Sequence, residues 1–322
     1  MLRQLIPHVE QIRQHPMYRI EARHLHRREL SLLQRYSLWW FVCIAALLVG
    51  FWGVFVVMRL LQYGSGGAGN VGSFSTGSHP LASSTSAEIA GWAFVASIGV
   101  VILLDFISMV VSVNSISKEK TTGNWDLILM TNLSRMGIVR TKHTLSQIRA
   151  WRITIILVSF RLAVCLLVVL HMFLLPDEFT GELLITDYVR ELIERPFQTF
   201  FGTTLTVIFA FTYVVEPLWR MRAVTAMGTS ISARNWSVTT SMMIGLAAIL
   251  GMWISQAAII AGYFWFSSIF TTSSIFLGMY SEIVEYVVIF LWVTVAAFII
   301  YAYYRWLREW NLQNAARIAF RI

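Results

Sequence analysis

Long uncharged runs of Leu, Ile, Val, Phe and Trp alternate along this chain with stretches where Arg, Lys, Asp and Glu gather. Each run is near the ~20 residues needed to cross about 30 Å of hydrocarbon as a helix. Read by that rule, residues 36–61, 89–113, 153–175, 200–215, 238–266 and 283–304 are transmembrane helices. The fourth is closed by Glu216-Pro217, a pairing that reads as a helix stop. The runs lack the alternating pattern of membrane strands, which excludes a barrel. The pattern predicts an all-α polytopic membrane protein.

The polar stretches differ in sign. Residues 1–35 hold Arg3, Arg13, Arg19, Arg23, Arg27, Arg28 and Arg35, and the stretches after the second and fourth spans and the tail at 305–322 are also basic. The stretch 62–87 is Gly- and Ser-rich and uncharged, residues 176–197 are acidic, and 267–281 carry no charge. Basic segments on alternate sides place both termini in the cytoplasm. Within the basic arm at 1–35, Met17, Ile20, Leu25, Leu32 and Leu33 interleave with Arg and His, as in a helix lying on a lipid surface. Arg19 and Glu21 belong to that surface helix.

Composition sharpens this picture in one respect. With 57% hydrophobic and only 13% charged residues, and a mean hydropathy of +0.65, the chain has too little polar surface for a water-soluble protein of its size. The net charge of +8 is spent on topology, so no nucleic-acid partner is expected. Cys43 and Cys165 both lie in apolar runs, which suits packing better than a disulfide or a metal site. The first 35 residues hold no apolar segment of signal-peptide type.

No phosphate-binding Gly-rich loop, zinc-type His pair or nucleophile elbow occurs, so this chain is read as a non-enzyme that binds no cofactor or metal of its own. His171, inside a span, is read as a hydrogen-bonded side chain rather than a haem ligand. Asp105 and Arg161 lie deep within their spans, and a charge at that depth costs several kcal/mol (~2.5–3.5 on insertion scales). Asp105 precedes the inner end of its span, and Arg161 follows the inner start of the next, each by about nine residues at 1.5 Å apiece. The two helices are antiparallel, so both groups sit about 13 Å deep and are expected to pair or to share a hydrogen-bond network. Gln256 is expected to bond between helices.

The stretch after the second span is too charged for a bilayer and too apolar for a loop. Lys118, Glu119 and Lys120 are followed by Thr121, Thr122 and Gly123, and then by Trp125-Asp126-Leu127-Ile128-Leu129-Met130. Trp125, Ile128, Leu129 and Leu133 fall at helical spacing and form an apolar stripe, fit to dock in a protein groove or to rest among headgroups. Thr121 or Thr122 is placed to cap this helix, and Glu119 favours its N-terminal end.

This stretch resembles the first cytoplasmic loop of ABC-2-type transporter permeases. Glu119 falls on that loop's leading acid, Gly123 on its glycine, Asp126, Leu127 and Leu129 on its acidic and apolar places, and Thr131, Leu133, Ser134 and Lys142 on the residues that follow. Lys120, Thr121, Asn132 and Thr141 depart from the family pattern. His15-Pro16-Met17-Tyr18-Arg19-Ile20-Glu21 resembles the start of family members, and the six-span layout with both ends inside is theirs too.

The resemblance implies a coupling helix, with Glu119, Gly123, Trp125, Asp126, Ile128, Leu129 and Leu133 docking on a separate cytoplasmic ATP-binding subunit. ATP and Mg would bind that partner. A second permease copy or a related chain would complete a dimeric pathway in a prokaryotic plasma (inner) membrane. The rival expectation is a structural or assembly subunit that kept the permease scaffold without transport. A weaker third is a cofactor-binding subunit using His171.

Overall fold

The computed structural model describes residues 81–123, 125, 128, 134–174, 190, 192–234, 236–272 and 282–320. The expected surface arm with Arg19 and Glu21, the span 36–61, and Asp126, Leu129 and Leu133 lie outside the described residues. Those described are helical or in short connections, and no strand occurs among them. In chain order the helices are α1 Leu81–Val113, α2 Ser117–Thr121, α3 Arg135–Leu174, α4 Pro196–Ala233, α5 Val238–Thr272 and α6 Glu282–Ala319.

Local chemistry sets several of the ends. Ser134 caps α3, its hydroxyl accepting the Gly137 N–H at 3.1 Å, and Ser237 does the same for α5 through the Thr240 N–H at 3.2 Å. Pro196 opens α4, where a missing N–H costs nothing. Gly123, at φ 72°, takes the left-handed turn that ends the α2 segment.

Among the described residues, four stretches are long and apolar enough to cross a membrane: Phe94–Thr121, Thr199–Ala233, Val238–Tyr263 and Val287–Ala319. Ile153–Leu166 in α3 is a shorter apolar piece. The chain thus has the make-up of a helical membrane protein. Outward-facing Val95, Ile102, Val207, Phe211, Leu250, Ile254 and Phe298 give these helices an apolar exterior, as lipid requires.

The long helices have 33 to 40 residues, or about 50–60 Å at 1.5 Å per residue. They therefore outreach the hydrocarbon and overrun most of the boundaries expected from the sequence. Arg220 and Arg222, expected in a connection, lie in α4, and the expected tail from 305 continues α6 to Ala319.

The largest correction concerns the fourth span. α4 does not stop at Glu216-Pro217 but runs through Pro217 to Ala233. Proline removes one helical N–H and orphans the carbonyl four residues earlier, here that of Tyr213. Arg161 on α3 donates to that carbonyl at 2.6 Å, so the break the sequence predicts is bridged from another helix.

Among the described residues, three buried clusters form the core. Val101, Leu104 and Leu157 join α1 to α3, and Met109, Val113, Val224, Met227, Ile249, Met252 and Tyr304 join α1, α4, α5 and α6. Ile116, Trp125, Ile138, Val139, Ala226, Leu312 and Ala315 close the end where α2 lies. Small residues set the spacing of α1 and α4. A Cβ on Gly228 would lie 1.9 Å from Ser112 Oγ and 2.8 Å from Ser112 Cβ. Gly228→Ala should therefore force the helices apart and cost about 1–3 kcal/mol, read as a lower apparent Tm in detergent. Adding Ser112→Ala should recover part of the loss; an unchanged Tm for Gly228→Ala would show that the close approach is unimportant.

Candidate functional site

Two constellations stand out, a buried charge chain and the segment from Ile116 to Ile128. The chain begins at Asp105 on α1. Arg220 Nε of α4 donates to Asp105 Oδ1 and Oδ2 at 2.9 and 2.8 Å, and Trp253 Nε1 of α5 donates to Oδ2 at 3.0 Å. Arg220 Nη1 reaches Glu216 Oε1 at 3.0 Å, Gln256 Oε1 at 3.1 Å and the Tyr304 hydroxyl at 3.1 Å. Tyr304 of α6 itself donates to Glu216 Oε1 at 2.7 Å. Arg161 of α3 closes the series, its Nη1 lying 2.8 Å from Glu216 Oε2.

Every long helix contributes to this cluster. Asp105 is 0%, Arg220 2%, Arg161 6% and Glu216 8% exposed, so water does little of the screening. Two guanidinium groups face two carboxylates and the formal charges cancel, which is the condition for keeping ions in a low-dielectric interior. Aromatic faces cover what remains, with Arg220 stacked 4.0 Å from the Trp253 ring and Arg161 4.5 Å from that of Tyr213.

Asp105 and Arg161 do not pair directly. They are joined through Arg220 and Glu216, two residues that sequence reasoning set outside the membrane. A signal for them existed: Glu216 and Arg220 are four apart, hence on one helix face, and they supply the charges that Asp105 and Arg161 each lack. It was hidden by reading Pro217 as a stop. Gln256 sits in the same cluster, its Oε1 accepting from Arg220 at 3.1 Å and lying 3.0 Å from the Tyr304 hydroxyl. Nothing in the sequence pointed to Tyr304 or Trp253.

The second constellation fastens the α1–α3 connection to the N-terminal part of α3 and the C-terminal end of α4. Ser232 Oγ accepts the N–H groups of Ile116 and Ser117 at 2.8 and 2.9 Å. Lys120 Nζ donates to the Ala233 carbonyl at 3.0 Å, a cation on the C-terminal end of α4. Glu119 Oε1 pairs with Lys142 Nζ at 3.0 Å, with the Lys142 side chain 3% exposed. The Thr121 and Thr122 hydroxyls both donate back to the Lys118 carbonyl, at 2.9 and 3.0 Å.

Trp125, expected on a docking stripe, is 6% exposed. It lies against Phe320 beyond the end of α6, ring centroids 5.5 Å apart, with Lys120 Nζ 5.7 Å from its ring. Ile128 rests partly buried on the same cluster.

His143 on α3, ahead of that helix's apolar stretch, is also buried. Its Nε2 lies 3.1 Å from the Arg222 carbonyl, to which it can donate, and Gln147 and Thr225 complete its surroundings. Burial pushes the imidazole from its ordinary 6.5 down to about 4; the bond to Arg222 opposes this, while the charges of Arg308 and Arg222 add to it and that of Glu309 resists. Among the described residues no group of three or more His, Cys, Asp or Glu is placed to hold a metal ion. Cys165 is a half-buried free thiol.

Arg220→Met leaves two buried carboxylates short of their main partner and should cost about 3–5 kcal/mol, seen as loss of the monodisperse peak in fluorescence-detected size exclusion. A variant as stable as the parent would mean the cluster is dispensable. Separately, His143 stays neutral on folding while the unfolded chain binds a proton below its ordinary value. Its contribution is complete above pH 6.5 and is lost as pH falls toward about 4. His143→Gln should flatten the apparent Tm across that window, and an unaltered slope would assign the dependence to other groups.

No family model matches the chain, and neither a curated protein nor a solved structure matches it.

Proposed function

We propose that this chain is the permease subunit of an ABC-2-type exporter in a prokaryotic plasma membrane. In this reading two copies, or one copy and a related chain, form the pathway, and a separate cytoplasmic subunit binds ATP and Mg. The observation that carries it is how the Ile116–Gly123 segment is fastened. Glu119 is tied to α3 through Lys142, while Lys120 and two backbone N–H groups are tied to the last turn of α4. A partner pressing on this segment would move two long helices at once, which is what a coupling element must do.

A specific observation favours a second reading. Trp125, the largest apolar residue of the stripe, is covered by Phe320 of its own chain. A structural subunit with no ATPase to dock would bury it in that way.

Purification with natural companions separates the two. The permease reading expects a stoichiometric companion carrying a Gly-x-x-x-x-Gly-Lys-Ser/Thr loop, released or uncoupled by Leu129→Asp. Stable membrane companions with no ATPase among them would overturn it in favour of the structural reading.

A further inference from the structure

α4 is gripped unequally on the two sides of Pro217. On the inner side Met221, Ala223, Val224, Ala226 and Met227 are buried, and Gly228 lies against Ser112. On the outer side Phe197, Phe200, Val207, Phe209 and Phe211 are each at least 60% exposed. Where the grip changes, the helix lacks one of its own hydrogen bonds, because residue 217 has no N–H to give the Tyr213 carbonyl. A side chain from α3 fills that place: Arg161 Nη1 donates to the carbonyl at 2.6 Å while holding Glu216 Oε2 at 2.8 Å.

We propose that Pro217 is a hinge in α4 and that Arg161 is its latch. With Arg161 engaged, the outer segment 196–216 and the inner segment 217–233 move as one rod. When Arg161 withdraws, the outer segment bends independently, since sharp helix bends arise where proline has removed a rung of the hydrogen-bond ladder. Release costs the Arg161 guanidinium its carboxylate partner while the carboxylate itself stays held. Glu216 keeps Arg220 and Tyr304 on its other oxygen when Arg161 leaves, so release strands no carboxylate. Under the permease reading, Ser232 and Ala233 would carry loop movement along the inner segment to this hinge. The latch itself does not rest on that reading, because its test uses this chain alone.

The test is a rescue. Spin labels are placed at exposed Phe200 and Arg234, with Cys43 and Cys165 replaced, and the full chain is held in lipid nanodiscs. Arg161→Met should broaden the distance distribution between the labels. Adding Pro217→Ala should narrow it again, because the new N–H restores the bond to the Tyr213 carbonyl. Unchanged width in Arg161→Met, or broadening that Pro217→Ala leaves in place, overturns the proposal. Should Arg161→Met fail to fold, thermal shifts decide instead. The drop in apparent Tm caused by Arg161→Lys should be at least halved on the Pro217→Ala background. Equal drops on both backgrounds would mean that Arg161 acts only as a counter-ion.

Discussion

Arg220 is the group on which the arrangement of helices depends. One guanidinium fork, 2% exposed, holds Asp105 of α1 and Glu216 of its own helix and reaches Gln256 of α5 and Tyr304 of α6. Taking one such ion out of water costs several kcal/mol, and mutual attraction repays this only when geometry is good and charges balance. Balance here links α1 and α3 through α4, since α1 brings only Asp105 and α3 only Arg161, while Glu216 and Arg220 of α4 cancel each other. The polar cluster therefore does what apolar packing cannot do in lipid, where one greasy helix face is much like another. It specifies which helices meet and at what height.

The parts that could be read from the sequence are those decided locally. Apolar length locates the long helices, Ser134 and Ser237 sit where caps belong, and Gly123 marks its turn. Asp105 and Arg161 were legible as charges needing partners. The partners were not, because a local rule about proline was overruled by a side chain 52 to 56 positions away, on another helix. Trp125 is a similar case. An apolar stripe at helical spacing says that something will cover it, and only the tertiary structure says that Phe320 and the end of α6 do.

The charge chain and the fastened segment sit at different heights on α4, and that helix is what they share. Glu216 and Arg220 flank its proline; Ser232 and Ala233 end it. Between them lie buried small and medium residues and the contact of Gly228 with α1. This C-terminal length of α4 can transmit displacement because a close-packed stretch does not compress.

The pairing also constrains biogenesis. Asp105 is synthesised 115 residues before Arg220, and Arg161 55 residues before Glu216. When α1 and α3 have been made, each carries a charge whose final counter-ion has not. The native ion pairs can form only once α4 has been made, and the contacts of Trp253, Gln256 and Tyr304 only after α5 and α6, so the polar centre is complete no earlier than the last helix.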